Sequence, residues 1–484
     1  MMNSSEQDVD RAAKAAAGAA AETASAPAAT RARWLRAVAD ELDAHRDELV
    51  AIADEETHLG EGRLTGEVGR TTGQLRLFAD AIEEGSYAEA IIDHAAPEAT
   101  PPRPDLRRVL RSIGPVAVFS ASNFPFAFSV AGGDTASALA VGSPVVVKAH
   151  SAHEQLSART AELVSDALRE AGAPEGIFGI VYGRQAGQQL VQHPAIKAAG
   201  FTGSVAGGRA LYDLASGRPD PIPFYGELGS VNPVVVTRAA AEERGDELAA
   251  GLVGSFTLGV GQYCTKPGLV FVPSGSGFED AVAQRANGAS GGRMLTDGIA
   301  SAFGAGLGAL AEAGGVEVLS GRAEQDGAGD EHTPVLLAVD AAVAAEHPEV
   351  YFEECFGPVT LLLRYGSDEE LVTALQQVPG SLTGTVHAQP QDDINGLVGV
   401  LSDRVGRLLF AGWPTGVAVT WSQQHGGPWP ATTSAHTSVG VTAMRRFQRP
   451  IAFQDAPAEV LPAELREENP LGIPRRVDGV LQVA

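Results

Sequence analysis

The sequence predicts an α/β protein built on parallel sheets and divided into more than one folding unit. Two observations carry that prediction. From residue 114 onward, apolar runs of strand length alternate with segments of helical periodicity. The chain also has 484 residues, too many for one compact core, which implies two or three domains.

Taken in order, residues 8–90 repeat alanine and charged positions at helical spacing, as in RARWLRAVADELDAHRDELVAIADEE, and predict three or four surface helices. The proline-rich AAPEATPPRPD (95–105) predicts extended chain, and DLRRVLRSIG a strand after it. Strand GPVAVFSAS is followed by helix TASALAVG, strand SPVVVKA by helix AHEQLSARTAELVSDALREAG, closed by Gly172 and Pro174. Strand IFGIVYG, helix GQQLVQHP, strand IKAAGFTG and helix GGRALYDLA complete the series. Such alternation requires right-handed crossovers and gives the layout of nucleotide-binding domains. A second α/β stretch, from about Glu227 to 430, includes VNPVVVT, GLVFVP and GPVTLLLRY. Beyond it, RRFQRPIAFQDAPAEVLPAEL reads as an edge or intersubunit strand, and the closing NPLGIPRRVDGVLQVA as an arm or loop.

Composition narrows the function classes. With 44% hydrophobic and 20% charged residues the chain is globular, and a net charge of −25 argues against nucleic acid or an anionic membrane as a partner. Two cysteines exclude a disulfide framework and suit a reducing cytoplasm. MMNSSEQDVD lacks the basic and apolar regions of a signal peptide. Ser112–Gly133 and Leu248–Thr265 are uncharged, but the first carries Asn123 and two prolines and the second four glycines, so neither reads as a membrane anchor.

One of the two cysteines, Cys264, lies in the glycine-flanked GQYCTKPG. It is either a small buried hydrophobe or a nucleophile presented by a loop. Four other stretches bear on the choice. In ASNFPF, Asn123 ends an apolar strand, where a carboxamide either holds a turn or donates to a developing oxyanion. In YGELGS, Glu227 lies between a strand and a turn, as an ordinary loop acid or as a base for water near a thioester. In FTGSVAGG, Gly203 and Ser204 open a helix whose backbone NH groups suit a phosphate. EECFGP (353–358) is a solvated acidic turn or a ligand-facing one, and its Cys355 reads as packing.

In this order the five stretches resemble the aldehyde dehydrogenase superfamily over nearly the whole chain. The resemblance implies an α/β fold with a Rossmann-type cofactor domain (1–90 and 113–226), a catalytic domain (227–430) and bridging or oligomerisation segments (91–112 and 431–484). It implies Cys264 as the nucleophile of the G-Q-x-C loop, Glu227 as the general base of E-L-G, and Asn123 as the oxyanion donor of N-F-P. It further implies that Lys148 holds the adenosine ribose, that Gly203, Ser204 and Gly208 line the pyrophosphate turn, and that Glu354 grips the nicotinamide ribose with Phe356 beside the ring. No metal is implied. The assembly it implies is a homodimer or homotetramer, with a hairpin near 91–112 and a C-terminal strand joining subunits.

The chemistry fits these residue types. A thiolate adds to an aldehyde, the resulting oxyanion expels hydride, and water activated by a carboxylate hydrolyses the thioester. A free thiol with a pKa of about 8.5 is mostly protonated at neutral pH, so a neighbouring group must favour the anion or take the proton.

Common NAD-using members place a glutamate three residues after the lysine, and here that position is Ser151. A small hydroxyl leaves room for a 2′-phosphate, and Arg184 in VYGRQAG could bind one, so NADP is expected as the preferred cofactor, with NAD also accepted. The alternative is that Ser151 only permits both cofactors and Arg184 faces solvent. The segment 425–450 (HGGPWPATTSAHTSVGVTAMRRFQRP) departs from the family's glycine- and phenylalanine-containing loop. With NFPFAFSVAGGDTASALA and NPLGIPRRVDG it is similar to the branch of 2-oxoglutarate semialdehyde (2,5-dioxopentanoate) dehydrogenases and NADP-dependent long-chain aldehyde dehydrogenases. The expected substrate is 2-oxoglutarate semialdehyde; the alternatives are a medium- or long-chain aldehyde, or a catalytically silent homologue. Phe124 is expected to wall the aldehyde tunnel, ahead of Phe126 and Phe128. Arg445, Arg446 and Arg449 are candidates for the distal acid, without an assignment.

Overall fold

The computed structural model describes residues 2–325 and 331–483. Four helices open the chain: α1 (Glu6–Ser25), α2 (Ala28–Ala44), α3 (Arg46–Thr57) and α4 (Glu61–Glu84). Ser5 starts α1 with a capping box, its hydroxyl accepting from the Asp8 NH and the Asp8 carboxylate accepting from the Ser5 NH. Each helix turns an apolar stripe inward, and α2 and α4 also bury charged groups, Arg31 and Glu67. Trp34, Leu35, Val38, Leu64, Leu75 and Phe78 join one core with the strands beneath.

A hairpin of β1 (Ile91–Asp93) and β2 (Leu106–Ser112) follows. Then come β3 (Val116–Phe119), α5 (Gly133–Ala140), β4 (Val145–Lys148), α6 (Glu154–Glu170), β5 (Phe178–Val181), α7 (Arg184–Gln192), β6 (Ala198–Thr202), α8 (Val205–Ser216) and β7 (Phe224–Glu227). The five strands β3–β7 form a parallel sheet in the order β5-β4-β3-β6-β7. Helices cover both faces, which is why VAVF and VVV run apolar without alternation. The chain winds outward from β3 in one direction and then from β6 in the other. The carboxyl ends of β3 and β6 therefore border the crevice where α/β sheets bind ligands.

β8 (Val234–Val236) and β9 (Leu269–Pro273), on either side of α9 (Arg238–Thr257), join five later strands in a seven-stranded sheet. Its order is Glu317–Ser320, Val335–Asp340, Val359–Tyr365, β9, β8, Ser381–His387, Val405–Phe410, and only the first pair is antiparallel. A third sheet places the edge strand Gln448–Gln454 on β2, as its prolines suggest. The terminal segment read as an arm is instead a hairpin, Arg475–Val477 with Val480–Gln482, docked in parallel on β1. Gly479, in a left-handed conformation, closes its tight turn. Between these, Val441, Met444 and Phe447 return to the core of the first unit. Among the described residues no helix is long and apolar enough to cross a membrane.

Candidate active site

Cys264 follows α9 and a short turn, Leu258–Gly261, in which Gly259, Val260 and Gly261 all take left-handed backbone angles. Val260 at φ 58° is a β-branched residue held where such residues are rare, so the loop is kept in shape by its surroundings. Gly261 leaves no room for a Cβ, which would lie 2.1 Å from the Gly357 carbonyl oxygen. That contact fixes the cysteine loop against the 353–358 turn. Asn232 Nδ2 donates to the carbonyls of Cys264 (2.8 Å) and Lys266 (2.9 Å), and the buried Lys266 Nζ donates to those of Cys355 (2.9 Å) and Val359 (2.8 Å).

The other two residues expected at the centre meet this loop. Asn123, buried past the end of β3, donates from Nδ2 to the Gln262 carbonyl at 2.9 Å, two residues from the sulfur. Its second amide hydrogen is left over for another acceptor. Glu227 ends β7, 2% exposed. Its carboxylate, the Cys264 sulfur and His425 form one cluster whose nitrogen, sulfur and oxygen atoms all lie within 4.8 Å of one another. His425 Nε2 is 3.6 Å from Sγ and 2.9 Å from Glu227 Oε1, and Ser438 Oγ donates to Oε2.

His425 and Ser438 were not singled out from the sequence. Both lie in the 425–450 segment that departs from the family pattern, and the histidine that opens it, ahead of a glycine pair, is the signal that was available. They reach Glu227 because residues 431–433 add to the free edge of β7. Leu228 NH donates to the Ala431 carbonyl (2.8 Å), Thr433 NH to the Gly226 carbonyl (3.1 Å), and Glu227 pairs with Thr432.

The electrostatics of sulfur and carboxylate run in opposite directions. Burial, then the Glu227 charge, pushes the Cys264 thiol well above its ordinary value. Burial also acts against the Glu227 carboxylate, but His425, Ser438 and the Cys264 thiol together hold it below its ordinary value. A protonated thiol that donates directly to an ionised acid can pass its proton to it when a substrate arrives, with His425 Nε2 in reach of both.

The residues expected around a dinucleotide occupy the mouth of the first sheet. Lys148 ends β4, and burial lowers its pKa. Gly187 of α7 packs so closely that a Cβ would lie 3.0 Å from the Phe119 ring and 3.2 Å from Lys148 Cγ. Ser204 caps α8, accepting from the Gly207 NH. Gly203 NH donates to the Glu227 carbonyl at 3.0 Å. Gly208 is required for contact, since a Cβ would lie 2.1 Å from Leu228 Cδ2. Ser151 and Arg184 are both exposed, at the carboxyl ends of the neighbouring strands β4 and β5.

Val205, Gly229, Ser230, Phe352 and Glu354 line a cleft of about 400 Å³ between the N-terminus of α8 and the 353–358 turn. A Cβ on Gly229 would lie 2.5 Å from Glu354 Oε2 and 2.9 Å from Val205, so bare backbone forms this wall. Burial raises the Glu354 carboxyl to about 7, against the opposing charge of Lys266 and the Ser230 backbone NH. A helix N-terminus, a glycine wall and a polar acid suit a dinucleotide's phosphates and ribose. Phe356 is partly exposed beside them, whereas Cys355 packs in the core with its thiol on the Phe303 carbonyl.

Phe124 and Phe128 are partly open and 5.5 Å apart, and Phe124 lies 5.3 Å from the Tyr263 ring. Phe126 is core. The three C-terminal arginines are accounted for elsewhere. Arg446 pairs with Asp134 (2.6 Å), Arg445 pairs with Glu89 (2.7 Å), and Arg449 is exposed on the edge strand.

Residues 1–427 match the aldehyde dehydrogenase family. The chain is 47% identical over 482 residues to alpha-ketoglutaric semialdehyde dehydrogenase 2 of Azospirillum brasilense, covering 98% of this chain and 91% of the relative. It is 41% identical, with the same coverage, to alpha-ketoglutaric semialdehyde dehydrogenase of Acinetobacter baylyi. Among solved structures, 1-pyrroline-5-carboxylate dehydrogenase from Thermus with bound NAD superposes with a TM-score of 0.77 at 22% identity, covering 93% of this chain and 86% of that one.

Proposed function

The chain belongs to the aldehyde dehydrogenase family, and from that premise we propose that it oxidises 2-oxoglutarate semialdehyde to 2-oxoglutarate at Cys264, with NADP preferred over NAD. Membership makes it an enzyme that converts an aldehyde to a carboxylate with a nicotinamide dinucleotide. The observation that carries the residue assignment is the cluster of Cys264, His425 and Glu227 beside Asn123. The substrate rests on two relatives of that name, each aligned with 98% of the chain.

In this reading the thiol gives its proton to the His425–Glu227 pair as Sγ adds to the aldehyde carbon. The oxyanion accepts from the free Asn123 amide hydrogen and from the Cys264 backbone NH; one such donor is worth about 10²–10³ in rate. The bound dinucleotide supplies the hydride acceptor. Once the thiol's proton has passed to solvent, Glu227 takes a proton from the water that attacks the Cys264 thioester and returns it to the departing thiolate, and the carboxylate product leaves. Lys148, Gly203, Ser204, Gly208, Glu354 and Phe356 would hold the dinucleotide. The exposed pair Ser151 and Arg184, with no acidic group at 151, would accept a 2′-phosphate.

We assign the five-stranded parallel sheet to the cofactor and the seven-stranded sheet to the nucleophile. A homodimer or homotetramer would cover the outer strand Val480–Gln482, where Val480 and Leu481 are 65% and 58% exposed. Two free cysteines suit a reducing cytoplasm.

The test is kcat/KM for purified protein with 2-oxoglutarate semialdehyde and saturated aliphatic aldehydes, each with NADP and NAD. The semialdehyde with NADP is expected to lead. A higher value for aliphatic chains would overturn the substrate, and a higher value with NAD would overturn the cofactor preference. Inertness toward every aldehyde, with Cys264 unreactive to iodoacetamide, would indicate a silent homologue.

A further inference from the structure

We propose that Arg63 and Arg70 on α4 form the subsite that takes the substrate's far carboxylate, with Arg70 as its ion-pair partner. The proposal rests on the reading of the chain as a 2-oxo acid semialdehyde dehydrogenase and names the residues that recognise the acid.

Residues seven apart on a helix share a face, and the face of α4 that carries Arg63 and Arg70 turns toward the catalytic loop. The Arg63 guanidinium lies 5.2 Å from the centre of the Phe124 ring and 4.8 Å from that of Tyr263. The Arg70 guanidinium lies 5.6 Å from Phe124 and 5.5 Å from Phe128. Two cations and three rings thus form one box. Its walls are sequence neighbours of the reacting groups: Phe124 follows Asn123, and Tyr263 precedes Cys264. Phe128 lies 6.3 Å from the His425 ring. After Glu67 on its own helix, the Cys264 thiolate, when it forms, and the Glu227 carboxylate act on the Arg70 charge.

Buried Glu67 is the counter-charge nearest to hand, acting on Arg70 and acted on by both arginines, but it makes no ion pair with either among the described residues and leaves one net positive charge. Arg63 Nη2 donates to the Asn123 carbonyl, but its Nε and Nη1 are buried without a hydrogen-bond partner among the described residues, as is Nε of Arg70. Arg70 makes no side-chain hydrogen bond or ion pair among the described residues. Glu67, between them on the helix, spends one carboxylate oxygen on the backbone NH groups of Phe126 and Ala127 instead. Arg407, on which Cys264 also acts, has both terminal nitrogens taken by the carbonyls of Gly416 and Pro414 and keeps only its Nε unpartnered among the described residues. Holding a guanidinium half-buried with unmet donors is costly, and an anionic ligand removes that cost. Arginine's planar fork matches a 2-oxo carboxylate, and the rings exclude water around the pair.

The experiment compares wild type, R70M and R70K with three aldehydes of equal chain length: 2-oxoglutarate semialdehyde, glutaric semialdehyde and pentanal. The readout is the ratio of kcat/KM for each acid aldehyde to that for pentanal. R70M is expected to lower the ratio by about 100-fold, and R70K, which keeps the charge but loses the fork, by about 10-fold, mostly through KM. A ratio unchanged in R70M, whether all three rates hold or all fall together, makes Arg70 a brace for the aromatic turn and overturns the proposal. If wild type favours glutaric semialdehyde and R70M loses that preference, the subsite stands and the 2-oxo acid reading falls. If wild type favours pentanal, both fall.

Discussion

The two walls that flank Cys264 treat their charges differently. On the side of β7, the Glu227 carboxylate has a partner for each oxygen, His425 and Ser438, delivered by a segment added to the sheet edge. On the side of α4, Arg63 and Arg70 face rings and keep donors unmet. A satisfied buried group is held in one place and keeps its protonation state, which a base needs. An unsatisfied one carries a cost that only a ligand removes, which suits a recognition site.

The largest effect is expected on the satisfied wall. Glu227→Gln keeps the shape of the network but removes its charge, so turnover should fall by about 10²–10⁴. One equivalent of reduced dinucleotide should still form in a rapid burst, because the water step suffers most. Stopped-flow absorbance reads both. A lost burst with equal loss of turnover would show that proton removal from the thiol, rather than activation of water, is the step for which Glu227 is limiting.

A smaller change is expected from His425→Asn. Removing the imidazole takes away a group that lowers the Glu227 pKa. With that pKa higher, more of the base is protonated in acid, and the acid limb of the kcat profile should move to higher pH. Rates near neutrality should fall about 10-fold, and iodoacetamide should label Cys264 more slowly. An unshifted acid limb would show that Ser438 alone fixes the carboxylate.

The smallest effect sharpens the contrast with a second glutamate at the same cleft. Glu354 has no histidine partner among the described residues, and burial raises it from 4.5 to about 7. Its folded-state pKa therefore exceeds its unfolded one. The favourable contribution of proton binding is complete below about 4.5 and is lost as pH climbs through about 7. Glu354→Gln does not titrate, so its stability advantage over wild type should widen between pH 5 and pH 8, by on the order of 1–3 kcal/mol without cofactor. Urea unfolding at the two pH values measures it. A constant gap would mean that the acid stays hydrated.

The same contrast separates what could be read in the sequence from what could not. The strands of the first sheet were legible because covering both faces turns VAVF and VVVK into uninterrupted apolar runs. Glu227 and Asn123 stood out because each ends or follows a strand beside glycine or proline, and Cys264 because it sits in a glycine-flanked loop; the structure brings them to one place. His425 did not, since its partner lies 198 residues earlier and the contact depends on a loop finding a sheet edge. Arg63 and Arg70 were hidden in a helical pattern that reads as solvent-facing, because the rings that cover them come from residues 124, 128 and 263. The terminal hairpin was missed because strands of three residues carry too little periodicity to register.

The pairing of Glu227 with Thr432 ties catalytic readiness to the order of synthesis. A ribosome that has translated Cys264, Glu227 and Asn123 has made the reacting atoms, yet the clamp on the acid waits for about 170 further residues. A nascent or prematurely terminated chain thus carries its thiol without the apparatus that uses it. Competence arrives only when the last eighth of the polypeptide has folded back.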